Sequence, residues 1–156
     1  MKSRTLLVCA LLGCLLCSCR KPVDRFEFRY APTHAADTFV FRYDMLLDEP
    51  QTSYSTYIAC RCKASAIKGK HIPLLISVTS PSGEKALERV DFPLTADCPG
   101  VEVKRSGGLV DIMWPYRDRI VPGADTGLWQ LAVKPLEESA ARNIYGIGLS
   151  YRRELQ

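Results

Sequence analysis

Hydrophobic and polar residues alternate with a period of two along most of this chain, which predicts short β-strands rather than helices. Residues 26–30 (FEFRY) alternate aromatic and charged side chains, for example. The predicted strands cover residues 26–30, 37–43, 55–63, 72–79, 85–92, 109–114, 127–133 and 145–152. These short strands, separated by turn signals and without a long helical period, predict an all-β fold. We expect a single antiparallel β-sandwich of jelly-roll or immunoglobulin-like type with about eight strands.

The clearest local signal is a hairpin over residues 72–92. An apolar strand is expected to start just after Pro73, and Ser80-Pro81-Ser82-Gly83 then reads as a tight turn. Proline presets φ in such a turn, and glycine accepts a positive φ. Residues 93–108 are predicted to be mostly loop, and residues 137–142 either a short helix or a turn. The two glycines in the last predicted strand suit a bulge or a close approach of two backbones.

The first eighteen residues follow a different pattern. Lys2 and Arg4 precede an uncharged apolar run at residues 5–16, which has the length of a signal-peptide core and is too short to span a bilayer. Leu16-Cys17-Ser18-Cys19 then reads as a lipobox, with leucine three residues before a cysteine and a small residue directly before it.

This lipobox predicts a cleaved signal at residues 1–18, a lipidated tether at 19–25 and a β-sandwich domain at 26–156. The thiol of Cys19 would carry the lipid, and two or three acyl chains make a stable membrane anchor. Three alternatives stay open: a weaker lipobox ending at Cys14, lipidation at Cys17, where Leu16 is a poor residue for cleavage, and an ordinary secretory signal with incidental cysteines.

Removal of the signal changes both the charge and the cysteine count. The formal charge of +4 loses Lys2 and Arg4 and falls to about +2, which is too mild and too scattered to indicate nucleic-acid binding. Of seven cysteines, the domain keeps Cys60, Cys62 and Cys98. Cys60 and Cys62 share one strand face. They are predicted as buried thiols, with a disulfide from one of them to Cys98 as the alternative.

No catalytic motif follows the signal, so we expect a non-enzymatic protein without a cofactor. A zinc site built on the three cysteines would need a fourth ligand at suitable spacing, and only His34 and His71 are available, so we expect no metal site.

Aromatic side chains give two further interpretations. Trp114, Tyr116 and Trp129 form either a platform for glycans or part of the core, because Trp114 ends an apolar strand and Trp129 alternates with the other inner-face residues. Trp114, Tyr116 and Arg117 also form a candidate patch for a protein partner, since aromatic and arginine side chains are enriched at interfaces.

The order of motifs resembles the gliding-motility lipoprotein family GldH of the Bacteroidota. A lipobox is followed by an aromatic strand and a D-T-F-x-F motif at Asp37 to Phe41. An apolar strand then enters a Pro-x-Gly turn at Pro81 to Gly83. The later motifs are W-P-x-R at Trp114 to Arg117, G-x-W-Q-L at Gly127 to Leu131, and I-x-G-I-G-L at Ile144 to Leu149. The pair Cys60-x-Cys62 departs from the family pattern.

This resemblance implies a lipid-anchored β-domain of the outer membrane that is an accessory component of the machinery for gliding and its associated secretion. Its partners would be the membrane and envelope proteins of that complex. Lipoproteins that such bacteria export to the cell surface carry an acidic run after the lipidated cysteine. Residues 20–25 are instead basic (RKPVDR), so the domain is expected to face the periplasm. The alternative function is a glycan-binding β-sandwich module.

Overall fold

A computed structural model describes residues 24–32, 39–66 and 69–154. Within those ranges the chain has nine β-strands, one turn of 3₁₀-helix at Ala64–Ala66 and one short helix, α1 (Glu138–Ala141). The strands are β1 (Asp24–Tyr30), β2 (Phe41–Leu47), β3 (Tyr54–Lys63), β4 (His71–Thr79), β5 (Lys85–Pro93), β6 (Glu102–Ser106), β7 (Leu109–Ile120), β8 (Gly127–Pro135) and β9 (Ile144–Arg153). The all-β prediction is confirmed.

The strands form two antiparallel sheets that pack as a sandwich. One sheet has the order β1-β9-β3-β7-β6, and the other has the order β2-β8-β4-β5. Four pairs are nested along the chain: β1 with β9, β2 with β8, β3 with β7, and β4 with β5. The chain is thus one long antiparallel ribbon, rolled up so that β3 also pairs with β9 and β4 with β8. This connectivity is that of a jelly roll, one of the two predicted sandwich types.

The core lies between the sheets and is filled mainly by alternate residues of the strands other than β1 and β6. β2 shows the pattern most clearly, with four buried side chains separated by exposed ones. The buried ones are Phe41, Tyr43, Met45 and Leu47. The hydroxyl of Tyr43 crosses the core and donates a hydrogen bond of 2.6 Å to the carbonyl oxygen of Ile147 in the opposite sheet. A buried tyrosine needs such a partner, and this one links the two sheets.

The predicted hairpin is confirmed as β4 and β5. The N–H of Ser80 donates to the carbonyl of Glu84 at 2.9 Å, and the N–H of Gly83 donates back to the carbonyl of Ser80 at 3.0 Å. Gly83 has a φ of +91°, the conformation for which a glycine was expected. The predicted start of β4 is wrong by a few residues, because the strand begins at His71 and includes Pro73.

The prediction missed β6 and half of β7. β6 lies inside the segment predicted as loop, and among its residues only Val103 is partly buried. β7 does not end at Trp114 but continues through Pro115 to Ile120. Proline is tolerated there because β6 pairs with β7 only as far as Met113 and because the register with β3 shifts nearby.

Two predicted boundaries also move. β2 begins at Phe41 and continues to Leu47, whereas the predicted strand ended at residue 43 and a break was expected from Leu46 onward. β1 begins at Asp24, inside the predicted tether. Residues 37–38, the signal at 1–18 and Cys19 lie outside the described residues.

Candidate functional site

The predicted interaction patch holds the two sheets together along one side of the sandwich. Trp114 packs edge-on against Phe92 of β5, with ring centroids 5.7 Å apart at 87°. The hydroxyl of Tyr116 donates a hydrogen bond to one carboxylate oxygen of Glu88 in β5, and Arg117 donates to the other at 2.6 Å. β7 belongs to the five-stranded sheet and β5 to the four-stranded sheet. These contacts therefore fasten the sheets to each other where β6 no longer covers β7.

This arrangement limits what the patch offers to a partner. Trp114 and Tyr116 are partly buried against the core, and burial raises the pKa of the Tyr116 hydroxyl. Trp129 is also packed against the core, and its indole N–H donates to the carbonyl of Asp125 at 2.8 Å. The three rings considered as a glycan platform thus serve the interior. Arg117 remains accessible, with 57% of its side chain exposed, and a protein partner at this patch stays a prediction.

The three thiols of the domain are unpaired in the structure. Cys60 and Cys62 face inward on β3 and are buried, as their shared strand face predicted, whereas Cys98 lies half-buried in the loop between β5 and β6. A hydrogen bond with the Cys62 thiol, together with burial, raises the pKa of Cys60 well above its ordinary value. A thiol that stays protonated is a poor nucleophile, so Cys60 has the character of a core residue.

The most distinctive surface of the domain is a groove on the outer face of the five-stranded sheet. One wall is formed by β1, whose Phe26, Phe28 and Tyr30 all point outward. Phe26 is 56% exposed and Tyr30 is 69% exposed. The three rings form a continuous row, with centroid separations of 6.2 and 5.1 Å. We refer to this concavity, about 370 Å³ in volume, as the aromatic groove.

The floor under these rings is made by two glycines of β9. Phe28 pairs with Gly148 across the ladder, and Tyr30 pairs with Gly146. A Cβ atom at Gly146 would lie 2.6 Å from the carbonyl oxygen of Arg29, and one at Gly148 would lie 2.9 Å from ring atoms of Phe26 and Phe28. Because glycine has no side chain, the rings can lie directly over β9. A close approach at these two glycines was one of the two outcomes that the sequence indicated.

Charged side chains from β3, β6 and β7 complete the aromatic groove. Arg61 of β3 donates two hydrogen bonds to the carboxylate of Asp111 in β7, at 2.6 and 2.9 Å. The same guanidinium lies 5.9 Å from the ring centroid of Phe28, within the range of a cation–π contact. Arg61 lowers the pKa of Asp111 below its ordinary value, so both groups stay charged at neutral pH. Glu102 and Lys104 of β6 line the far side.

The alternating pattern of residues 26–30 predicted a strand, but it did not predict which face of the sheet the aromatic residues occupy. Alternation alone cannot distinguish an aromatic row that faces the core from one that faces solvent. One signal was available, the Gly-Ile-Gly spacing at residues 146–148, which leaves one face of β9 without side chains. An aromatic neighbour can occupy that space.

A second cleft, about 520 Å³ in volume, opens at one end of the sandwich and is lined in part by Cys62, His71 and Glu137. Among the described residues, no group of three or more histidine, cysteine, aspartate or glutamate side chains is arranged to hold a metal ion. His34 lies outside those residues. No helix within the described ranges is both long and apolar enough to cross a membrane.

Comparison with known proteins gives no assignment: no family model matches the chain, and no curated protein matches it significantly. The resemblance to gliding-motility lipoproteins stays a prediction.

Proposed function

We propose that this chain is a lipid-anchored, non-enzymatic accessory component of a cell-envelope assembly of the gliding-motility or secretion type. Cys19 carries the anchor in the outer membrane, and the jelly-roll domain faces the periplasm. The domain acts by binding and needs no cofactor.

The observation that carries the proposal is the aromatic groove, because its exposed rings form a binding surface rather than a reaction centre. It contains ring faces and a charged pair, and the thiol that lines it, Cys60, is a buried core residue whose pKa is raised well above its ordinary value, whereas covalent catalysis requires an activated nucleophile. Its aromatic strand begins at Asp24, only five residues after Cys19. A fully extended chain of that length reaches at most about 18 Å, so the groove stays close to the membrane. Tethering raises the effective concentration of nearby ligands, and weak contacts then suffice.

The test is a pull-down of tagged protein from detergent-solubilised envelopes. Wild type is compared with Cys19→Ala, which cannot be lipidated, and with Arg117→Ala, which tests the accessible part of the interaction patch. We expect wild type to retain a defined set of envelope proteins that Cys19→Ala loses. Recovery of the same set by Cys19→Ala, or of no envelope protein by wild type, would contradict the proposal.

The orientation has a separate test in protease treatment of intact cells. A periplasm-facing domain stays intact until the outer membrane is permeabilised. Cleavage in intact cells would place the domain on the cell surface instead.

A further inference from the structure

We infer that the aromatic groove binds a neutral oligosaccharide, which stacks on Phe26 and Tyr30 and hydrogen-bonds to the Arg61–Asp111 pair. This inference deepens the proposed function, on which it rests only for the location of the ligand in the envelope. It assigns glycan binding to residues other than the tryptophans that the sequence suggested.

The two ends of the aromatic row are largely exposed to solvent. Phe26 and Tyr30 leave more than half of their surface in water. Contiguous exposed apolar surface of this kind marks a binding site in soluble domains. A sugar ring has an apolar face of C–H groups that fits flat against an aromatic ring, and its hydroxyl edge stays available for polar groups.

The polar side chains beside the rings have hydrogen-bonding capacity that they do not use on each other. A guanidinium has five N–H donors, and an ionised carboxylate has about four acceptor sites. Arg61 and Asp111 use two of each on one another, so donors and acceptors remain side by side. Adjacent hydroxyl groups on a sugar both donate and accept, which matches this pair. The two mutual bonds also fix the geometry before a ligand arrives, and this reduces the entropy cost of binding.

The charged side chains that line the groove favour a ligand without net charge. The groove is lined by two cations, Arg61 and Lys104, and two anions, Glu102 and Asp111, so its formal charge is zero. An anionic ligand such as a phosphate or a lipid headgroup would meet both carboxylates and gain no net attraction. The surface is also concave, whereas a membrane is contacted best by protruding side chains. Both features favour a small neutral ligand over a lipid surface.

The length of the aromatic row and the volume of the groove indicate the size of the ligand. Phe26 and Tyr30 are four residues apart on one strand, which places their Cα atoms about 13 Å apart. The groove volume of about 370 Å³ lies at the small end of the range for ligand sites. A row of this length accommodates a short oligosaccharide rather than a single sugar.

The test uses the purified, lipidated protein in a detergent without a sugar headgroup. Saturation-transfer NMR is recorded with four neutral tetrasaccharides: β-1,4-linked N-acetylglucosamine, cellotetraose, maltotetraose and β-1,4-mannotetraose. Inorganic phosphate and vesicles of anionic phospholipid serve as the competing probes. We expect at least one tetrasaccharide to bind, with the strongest transfer to its ring C–H protons.

The variants decide whether the groove is responsible. Phe26→Ser/Tyr30→Ser removes the two exposed rings, and Tyr145→Ser removes a ring that is 41% exposed on the same sheet but outside the groove. The double variant should weaken binding about tenfold or more, while Tyr145→Ser binds like wild type. Asp111→Asn should also weaken it, because the Arg61 geometry is lost.

Three results would overturn the inference: no tetrasaccharide binds, the double variant binds as well as wild type, or only phosphate or vesicles bind in a groove-dependent way. The purified protein contains no other envelope component. A negative result here is therefore independent of the pull-down that tests the proposed function.

Discussion

Gly146→Ala is the substitution that tests the packing of β1 on β9 most sharply. The added Cβ would lie 2.6 Å from the carbonyl oxygen of Arg29 and 2.7 Å from an atom of the Phe28 ring. The ring can turn away, but the carbonyl belongs to the backbone of β1 and cannot move alone. Relief requires β1 to shift away from β9, which weakens the ladder between them.

Inserting a methyl group where the backbone cannot yield costs about 1–3 kcal/mol. Against this, alanine restricts the unfolded chain more than glycine does, which recovers about 0.4–1 kcal/mol. We therefore expect a net loss of roughly 1–2 kcal/mol in the free energy of unfolding. For a domain of this size that corresponds to a fall in Tm of about 3–10 °C.

The assay is urea and thermal unfolding followed by circular dichroism, with two matched glycines for comparison. A Cβ at Gly148 would approach only the rings of Phe26 and Phe28, which are able to move, so Gly148→Ala should cost less. A Cβ at Gly69 would have His71 as its nearest neighbour, at an ordinary 3.6 Å, so Gly69→Ala should match wild type within about 0.5 kcal/mol. If Gly146→Ala is as stable as Gly69→Ala, the close contact between β1 and β9 does not exist.

Three further predictions concern the core and the groove. Tyr43→Phe removes the hydroxyl that links the sheets and should cost about 1–3 kcal/mol in denaturant unfolding, whereas an unchanged midpoint would mean that the 2.6 Å bond is not formed. Cys60→Ser places a hydroxyl in the apolar core and should lower the free energy of unfolding by about 1–3 kcal/mol, while Cys98→Ser should change it by less than about 0.5 kcal/mol. Equal effects of the two substitutions would contradict the assigned burial. The pKa of Asp111 is depressed by Arg61, so the pair stabilises the fold above the unfolded-state pKa and loses this as pH falls through the folded-state pKa. The stability advantage of wild type over Asp111→Asn should be below about 1 kcal/mol at neutral pH and vanish in acid, and an advantage that grows in acid would refute the assignment.

Local signals predicted the parts of the fold that are themselves local. The β4–β5 hairpin needs only an apolar strand, a Pro-x-Gly turn and a return strand, and all three lie within residues 71–93. β6 was missed because an edge strand that buries little carries almost no alternation. β7 was cut short because Pro115 reads as a strand terminator, whereas the real limit on proline is whether its position needs an N–H. The start of β6 at Glu102, which pairs with Met113, on one side and the shifted register with β3 on the other remove that need.

The aromatic groove depends on contacts that no local pattern contains. Tyr30 and Gly146 are paired although they lie near opposite ends of the domain's sequence, and the direction of the rings follows from that register. The sequence also left open whether the tryptophans face the core or solvent, and they face the core. Trp114, which ends an apolar run, and Trp129, which alternates with inner-face residues, both pack against the core as those patterns favoured.

In the proposed mode of action, an anchored domain binds its ligand through the outer face of the five-stranded sheet. The most direct measurement is photo-crosslinking in living cells, with the benzophenone amino acid p-benzoylphenylalanine placed at Tyr30 or, as a control, at Leu128. Leu128 is 51% exposed on β8 of the other sheet. We expect a crosslinked product of higher mass from position 30, none from position 128, and loss of the product when Cys19 is replaced by alanine. No product from position 30, or equal products from both positions, would contradict it.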